Sequence, residues 1–374
     1  MRKFIGLKTG LKLILFLGVL ALIITAVFLA NIHSEQGNSL TEAIEGGESV
    51  LTAIGRSHES ITNFVKDKEE LAVDLLKTAK ASQEYAEVRL TSSKRTKDTF
   101  LLSMIENYLM LLNSSRVMTQ GMDNLLAISD DLKETLNYYR EGAYEDAAEK
   151  ASVCLQTLTP LVEQFEPWNH TLDGIDYLHL ASGQKDRVKN AIGQYKDAMR
   201  IYLAYIHLLE SIKQGVDYLN IMDNVNKLFD QLQHAIANQD YASVPELLQQ
   251  ISNQLQLLED PNYQNVASIA SKIDLSLLDG SVFNTAQDLK NLLKDLEGIQ
   301  GFENYLESVA KYVEASNYAD QGELEAAEEA IEQGIALLGQ GQKLSDLYVQ
   351  KYYTALENAF NTLKMRIRGP QPEG

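Results

Sequence analysis

A short polar cluster contains the residues best suited to chemistry in this 374-residue sequence. His170, Asp173, Asp176 and His179 follow one another at three-residue steps, just after Trp168. Imidazole and carboxylate groups together are typical ligands of zinc and similar divalent ions. On a helix, however, steps of three residues turn by about −60° each, so four such side chains spread over half the cylinder. Trp168 and Leu172 instead predict an ordinary capped turn at a helix start, with aspartates near its N-terminus, and the four residues remain the only metal candidate.

The other reactive groups do not form a known catalytic pattern. The sequence contains no glycine-rich phosphate loop, no H-E-x-x-H, no G-x-S-x-G and no C-x-x-C. Its single cysteine, Cys154, stands at a small-residue packing position, and we expect it to be buried. His58 lies on an apolar helix stripe, and the 18 tyrosines are expected to fill helix seams. We predict no catalytic residue, no cofactor and no enzyme activity.

The N-terminal segment predicts where the protein is located. An uncharged run extends from Leu13 to Ile32, and at about 1.5 Å per residue it spans the roughly 30 Å hydrocarbon core of a bilayer. The run is longer than the apolar region of a usual signal peptide. The most obvious cleavage site follows Ala30, but the bulky Phe28 occupies its minus-three position, where a small residue is usual. We predict a retained transmembrane anchor at 13–32. A cleaved signal peptide, or a pilin-type signal cut after Gly10, is the alternative.

Charge indicates the orientation and limits the partners. Four of the 33 basic residues and none of the 52 acidic ones precede the apolar run, so the rest of the chain has a formal charge of −23. The positive-inside rule places residues 1–12 in the cytoplasm and the following domain outside the cell membrane. We expect contact with the bilayer through the anchor, whereas so acidic a surface argues against nucleic acid and anionic lipid. The basic clusters Lys94–Lys97 and Lys364–Arg368 are interpreted as solvated helix ends.

The remainder of the chain is predicted to be helical. Prolines number only six, and good helix formers dominate. Leu51, Ile54, His58, Ile61 and Val65 alternate three- and four-residue steps, which places them on one helix stripe. No sustained alternation of β-branched residues indicates a strand. We predict an all-α fold, with an N-terminal transmembrane helix followed by long antiparallel helical hairpins and a repeat-like helical stack.

Breaks in the helical pattern suggest how the chain is divided. We expect two long helices at about 35–95 and 98–140, and breaks at Gly142, at Pro160 and after Pro167. The predicted domains are a cytoplasmic basic segment (1–12), the anchor (13–32), a long helical hairpin or stalk (33–140), a repeat-like domain of helical hairpins (141–368) and a flexible tail (369–374).

Two segments share a sequence pattern. Tyr108 is followed by Gly121 at the same distance as Tyr202 is followed by Gly215, with Gln before each glycine and Asp two residues after it. A shortened third copy begins at Glu303. The matches predict a duplication in which Gly121 and Gly215 are equivalent positions of two helix–turn–helix units. Convergent helix composition is the alternative.

Two turns resemble a known repeat family. The segment 138–155, with Gly142 and Tyr144 at its turn, resembles the second half of a tetratricopeptide repeat, as does 318–335 with Gly322. Glycine allows the tight turn, and small residues let the two helices approach. The preceding helices lack the family's leucine–glycine pair, and the units are separated by about 80–95 residues instead of 34. The resemblance implies tetratricopeptide-like hairpins and a surface that binds a protein or peptide.

Two functions are compatible with this sequence. The first is a membrane-anchored, extracytoplasmic helical scaffold that binds a protein or peptide partner without catalysis. The alternative is a sensory or small-ligand-binding helical domain that signals through a separate partner. Assembly of the chain into a homo-oligomer is compatible with either function. An internal pocket with tyrosines would favour the second function, and an open groove the first.

Overall fold

The computed structural model describes residues 37–181, 183–258, 260–294, 299–340 and 352–368. Over these residues the chain is largely helical and contains no strand, which confirms the all-α prediction. The predicted anchor at 13–32, the segment before it and the tail at 369–374 lie outside the described residues. Of the helices that are described, none is long and apolar enough to span a bilayer.

Helices joined by short connections make up the fold. Two one-turn 3-10 helices, Tyr177–His179 and Leu275–Leu277, interrupt the series. The α-helices are α1 (37–65), α2 (Glu69–Ser93), α3 (Thr99–Ala127), α4 (Ser129–Glu141), α5 (Tyr144–Asp173), α6 (Lys185–Gln214), α7 (Val216–Ala237), α8 (Val244–Leu257), α9 (Pro261–Ser271), α10 (Gly280–Lys294), α11 (Ile299–Gln321), α12 (Leu324–Gln340) and α13 (Thr354–Arg368).

Four helix hairpins are closed by the same kind of turn. Asp67, Gly142, Gln239 and Gly322 have positive φ angles of 56°, 76°, 59° and 80°. In each turn, the N–H of the next residue donates to the carbonyl five residues before it, at 2.9 Å. This Schellman arrangement satisfies carbonyls that a helix end leaves free. The turns predicted at Gly142 and Gly322 are therefore formed, and two further turns adopt the same conformation without glycine.

Two of the connections between hairpins are also alike. Asp176 and Asp274 have φ/ψ angles of −84°/99° and −87°/95°, and each side chain accepts the N–H of the residue two positions ahead. Asp274 lies 98 residues after Asp176, and the Gln239 turn lies 97 residues after the Gly142 turn. The local geometry thus repeats along the chain at a spacing of 97 to 98 residues.

The predicted equivalence of Gly121 and Gly215 is wrong. Gly121 is buried inside α3, whereas Gly215 forms the break between α6 and α7. A Cβ on Gly215 would lie 2.6 Å from the carbonyl oxygen of Ser211, so this break requires glycine. The sequence match relates positions 94 residues apart. The turns and caps, which determine the local geometry, repeat at 97 to 98 residues instead.

Several predicted helix ends also differ from the structure. The helix expected at 35–95 is interrupted at 66–68 by the Asp67 turn, and the one expected at 98–140 is interrupted at Ile128. Conversely, α5 continues through Pro160 and Pro167. A proline inside a helix costs about 3 kcal/mol. Large apolar residues of α5 are buried on both sides of these prolines, and each contributes about 1.5–3 kcal/mol, which offsets that cost.

The described residues belong to two compact units. Unit 1 contains the chain up to Leu126 together with Pro160–Met199, and unit 2 contains Ala127–Thr159 and the chain from Arg200 onward. In unit 1 a Cβ on Gly47 of α1 would lie 2.5 Å from the ring of Tyr108 in α3. In unit 2, Gly334 of α12 faces the ring of Phe360 in α13 at similarly close approach. Glycine thus permits tight helix packing within each unit.

Candidate functional site

The four residues of the predicted polar cluster, His170, Asp173, Asp176 and His179, do not converge on one site. His170 is exposed near the end of α5. Asp173 Oδ1 lies 2.9 Å from Lys196 Nζ, and Asp176 Oδ2 lies 2.6 Å from His179 Nδ1. In the described part of the chain, no three His, Cys, Asp or Glu side chains are arranged to hold a metal ion. Of the four residues, the structure therefore brings only Asp176 and His179 into contact.

The turn at Asp176 is held by a buried asparagine. Asn107 of α3 donates from Nδ2 to the carbonyl oxygen of Asp176 at 2.9 Å, and its Oδ1 accepts the N–H of Asp176 at 3.2 Å. The Asp176 carboxylate accepts the N–H of Leu178 at 2.9 Å. This hydrogen bond and the contact with His179 lower the pKa of Asp176. Asp176 thus caps the 3-10 turn, as predicted, but Trp168 and Leu172 lie near the C-terminal end of α5 and not at a helix start.

The other residues singled out by the sequence pack in the interior. Cys154 is fully buried, and burial raises the pKa of its thiol to about 11, so it is protonated at neutral pH. His58 is half-buried on the α1 stripe, where desolvation lowers its pKa despite the nearby charge of Asp197. The largest fully buried side chains include six tyrosines: Tyr108, Tyr195, Tyr202, Tyr205, Tyr218 and Tyr305. These six are packed in the interior as predicted, whereas Tyr85 is exposed.

A polar groove lies between α7 and α8 in unit 2. Its two halves have volumes of about 530 and 420 Å³ and share Gln231 and Gln250. Residues three and four apart on a helix lie on one face, so each helix contributes one continuous row. The groove is lined by Asn224, Lys227, Leu228, Gln231, His234, Ala235, Asn238, Asp240, Ser243, Glu246, Leu247, Gln250, Asn253 and Gln254.

Side-chain amides give this groove its chemical character. Six of the lining residues are Asn or Gln, and each amide both donates and accepts hydrogen bonds. Opposite charges are both present, and Lys227 Nζ is paired with Asp223 Oδ2 at 2.5 Å. The lining contains no Phe, Tyr or Trp, and its one ring is the imidazole of His234, so the groove offers little surface on which a sugar or a base could stack. The groove is suited to an uncharged ligand with alternating donors and acceptors.

A smaller cavity of about 240 Å³ lies beside α7, α11 and α13 in the same unit. Its walls are mainly apolar, and they include Ile236, Leu356 and the ring of Tyr305, with the amide of Gln233 as a polar group. An apolar cavity of about 150 Å³ is large enough for benzene. This cavity therefore has room for a two-ring apolar molecule.

An aromatic cluster supports the wall of the cavity. The ring of Tyr305 lies 5.3 Å from Phe229 and 5.4 Å from Tyr353, measured between centroids. Tyr352 packs against Phe229 at 5.0 Å and donates from its hydroxyl to Asp230 Oδ1 at 2.9 Å. Burial raises the pKa of Tyr305, so its hydroxyl stays protonated. The cluster fixes the Tyr305 ring in place and keeps it neutral.

Sequence reasoning missed both the groove and the cavity, although a signal for the groove existed. Asn224, Gln231 and Asn238 recur every seven residues along α7, and Gln250 and Asn253 lie three apart on α8. Such a row of amides on one helix face predicts a polar strip. The strip on α7 faces the strip on α8 because the two helices are joined at the Gln239 turn, where the sequence has no glycine.

Comparison with known proteins gives no relative from which a function could be transferred. No family model, no curated protein and no solved structure matches this chain. The geometry and chemistry of the chain itself are therefore the basis for its function.

Proposed function

We propose that this protein is a membrane-anchored, extracytoplasmic helical scaffold that binds an extended peptide segment of a protein partner. The observation that carries the proposal is the amide-lined groove between α7 and α8. The predicted anchor at 13–32 and the four preceding cations support the location. Binding is not accompanied by catalysis.

The dimensions of the groove support a peptide ligand. The 14 residues of α8 extend about 21 Å at 1.5 Å per residue. An extended peptide advances about 3.3 Å per residue, so roughly six residues fit along α8. The backbone of such a peptide presents a donor and an acceptor at each residue, and side-chain amides can satisfy both.

The chemistry of the groove also restricts the peptide. Its lining includes cationic Lys227, which is already paired, and the carboxylates of Asp240 and Glu246, so it has no large excess of charge. A strongly charged peptide would gain little there. We expect the preferred segment to be uncharged and rich in Ser, Thr, Asn, Gln or Gly.

Peptide selection followed by titration tests the proposal. Random heptapeptides displayed on phage are selected against the full chain in lipid nanodiscs, and the affinity of the enriched peptide is measured by fluorescence anisotropy. Replacement of Gln231→Ala together with Gln250→Ala should weaken binding about thirtyfold, since each lost hydrogen bond contributes about 1 kcal/mol. Alanine keeps the helix propensity high, so folding is preserved.

A matched variant provides the control. Gln256 is an exposed amide on α8 that does not line the groove. Gln256→Ala should leave the affinity unchanged. Equal losses in the Gln256 variant and in the double variant, or no loss in either, would contradict the proposal.

The cavity beside Tyr305 supports a second candidate function, the sensing of a small apolar ligand. Indole, a two-ring probe, should raise the thermal unfolding temperature of the full chain if the cavity binds it. Ala359→Leu would occupy the cavity and should abolish that rise. A rise that persists in the variant would place the probe elsewhere and remove this candidate.

A further inference from the structure

The first hairpin of unit 1 has two distinct ends. Ser92 Oγ donates to Glu42 Oε2 at 2.7 Å, whereas Ser60 Oγ donates to the carbonyl oxygen of Ala72 at 2.6 Å. These contacts show that α1 and α2 run antiparallel. Residues near 37–42 and 92–98 therefore lie at one end, which we call the N-terminal end of unit 1. The turn around Asp67 lies at the other end.

The connection before α6 also belongs to the N-terminal end of unit 1. The ring of Phe100, at the start of α3, lies 5.3 Å from the ring of His179. Phe100 is the second residue of α3, just after the 94–98 connection, and its N–H donates to the Asp98 carboxylate at 2.9 Å. The 3-10 turn Tyr177–His179 is thus adjacent to the end of the first hairpin.

Large apolar side chains are exposed at this end. Leu178 is 81 % exposed, and Phe100 and Leu40 are 44 % and 43 % exposed. Leu178 stands on a one-turn helix whose backbone is fixed through Asp176 and Asn107, so its exposure is imposed by the fold. An exposed leucine on a fixed turn is suited to insertion into an apolar surface.

Cations surround these apolar residues. Lys94, Arg95 and Lys97 are exposed in the connection before α3, and none forms an ion pair with any residue the structure describes. Tyr177 lies close to two further cations: the Nζ atoms of Lys185 and Lys189 are 5.8 and 5.9 Å from its ring centroid. In a domain with a formal charge of −23, this is a local concentration of positive charge.

The length of the intervening chain limits the distance from this end to the predicted anchor. The anchor is predicted to end at Ile32, and α1 is described from Gly37. The five Cα–Cα steps from Ile32 to Gly37 extend at most about 18 Å, whatever the conformation. The headgroup layer adds about 5–8 Å on each side of the hydrocarbon core. With the anchor in place, the start of α1 is therefore at or close to the lipid headgroups.

We propose that the N-terminal end of unit 1 is a lipid-contact surface on the membrane that holds the anchor. Lys94, Arg95 and Lys97 bind the phosphates of anionic headgroups, while Phe100 and Leu178 insert between the headgroups. This inference rests on the proposed anchor at 13–32. Neither the groove nor its peptide ligand is required for it.

Local charge explains how a strongly acidic domain can make this contact. The carboxylates of Glu42, Asp98 and Asp176 keep their charge but are held by the protein: Glu42 accepts from Ser92 and lies 3.9 Å from Arg89, Asp98 caps α3 and Asp176 caps the 3-10 turn. The exposed cations at this end outnumber them: Lys94, Arg95, Lys97, Lys185 and Lys189. An anionic surface repels the acidic remainder of the domain and attracts the cationic end. The overall charge, which argues against general binding to anionic lipid, thereby favours one orientation on it.

Lipid quenching on the reconstituted full chain tests the contact. An environment-sensitive fluorophore is attached through Leu178→Cys in a Cys154→Ala background, and the protein is placed in vesicles of phosphatidylcholine with and without phosphatidylglycerol. Leu71→Cys is the matched control, since Leu71 is exposed on α2 near the opposite end of the hairpin. Spin-labelled lipids should quench the probe at position 178, more strongly with phosphatidylglycerol, and leave the probe at position 71 bright.

A charge variant and a flotation assay test the lipid-contact surface separately from the proposed anchor. Replacing Lys94, Arg95 and Lys97 with alanine should reduce the ratio of docked to undocked protein about a hundredfold on anionic vesicles, since each cation contributes about 1 kcal/mol. Flotation with the vesicles should be unchanged because the anchor is intact. If the chain floats and the probes at positions 178 and 71 are quenched equally or not at all, the lipid-contact surface is refuted and the anchor stands. If the chain does not float, both fail.

Discussion

Two pairs of side-chain amides, one pair in each unit, have opposite roles. In unit 1, Gln83 and Asn107 are only 6 % and 4 % exposed, and both are hydrogen-bonded, Gln83 Nε2 to Ser115 Oγ at 2.8 Å. In unit 2, Gln231 and Gln250 are exposed and line the groove. A buried amide must be paired because its desolvation is costly, whereas an exposed amide can exchange water for a ligand. Burial therefore decides whether an amide stabilises the fold or is available for binding.

The largest effect should come from the buried amide of unit 1. Asn107→Leu would leave both the N–H and the carbonyl of Asp176 without their partner. We expect a loss of about 3 kcal/mol in the free energy of unfolding, since each unsatisfied buried group costs about 1–3 kcal/mol. Chemical denaturation of the solubilised full chain measures it.

A second substitution on α3 is the control. Gln120 is exposed on the same helix, and Gln120→Leu should change the free energy of unfolding by no more than about 0.5 kcal/mol. Similar losses of unfolding free energy in the Asn107 and Gln120 variants would show that burial of the amide does not determine its contribution to stability.

Glycine packing should give the next largest effect. Gly47→Ala places a Cβ 2.5 Å from the buried Tyr108 ring, and we expect a loss of about 2 kcal/mol from overpacking. Gly193 lies exposed in α6 with nothing within 4 Å of its added Cβ. Gly193→Ala should therefore raise stability by up to about 1 kcal/mol through helix propensity. Thermal unfolding compares the two variants, and equal shifts of the same sign would contradict the packing argument.

The hairpin turns should respond alike in both units because their geometry is local. Asp67 in unit 1 and Gln239 in unit 2 adopt a left-handed conformation that favours glycine. Asp67→Gly and Gln239→Gly should each stabilise the protein by about 1 kcal/mol, and Gly142→Ala should destabilise it by about as much. Destabilisation by Gln239→Gly would show that its side chain has a role that the turn geometry does not reveal.

The smallest effect should come from the two aspartate caps at low pH. Hydrogen bonds from Leu178 and His179 lower the pKa of Asp176, and those from Ser276 and Arg200 lower the pKa of Asp274. Because both pKa values are lower in the folded state, the caps stabilise fully above the ordinary value near 3.8. Their contribution is lost as pH falls through the folded values.

Denaturation between pH 2 and pH 6 should therefore show a small loss of stability in acid. Asp274→Asn keeps a cap of similar shape without a titrating group and should flatten part of this decrease. An acid loss that is identical in the wild type and the variant would contradict a role for the Asp274 charge.

The helical architecture was largely predictable from the sequence. Apolar residues such as Leu51, Ile54 and Ile61 repeat at helical spacing, and all three are buried in α1. Glycine indicated the turns at Gly142 and Gly322. The sequence also placed a turn and the start of a second helix at Gln239–Asp240, and the structure has that turn. The turn at Asp67 was missed because neither glycine nor proline marks it, although aspartate tolerates the left-handed conformation.

The site was much less predictable. The histidine and aspartate cluster attracted attention through residue type alone, yet Asp173 is paired with Lys196 and Asp176 serves as a cap. The groove depends on two amide rows that are separated in sequence by the Gln239 turn, and the cavity depends on α7, α11 and α13 together. Such features arise only from tertiary packing.

Site-directed photo-crosslinking tests the central claim, that the groove binds an extended peptide, most directly. A photoreactive residue is introduced at Asn224, at Asn238 or, as a control, at Gln256, and the selected peptide carries a distinct tag at each terminus. Asn224 on α7 and Asn238 at the C-cap of α7 are about 21 Å apart along the helix axis. The account predicts that one terminus crosslinks at Asn224 and the other at Asn238, with no product from Gln256. Crosslinking of both termini at one position, or a product from Gln256 of equal yield, would contradict it.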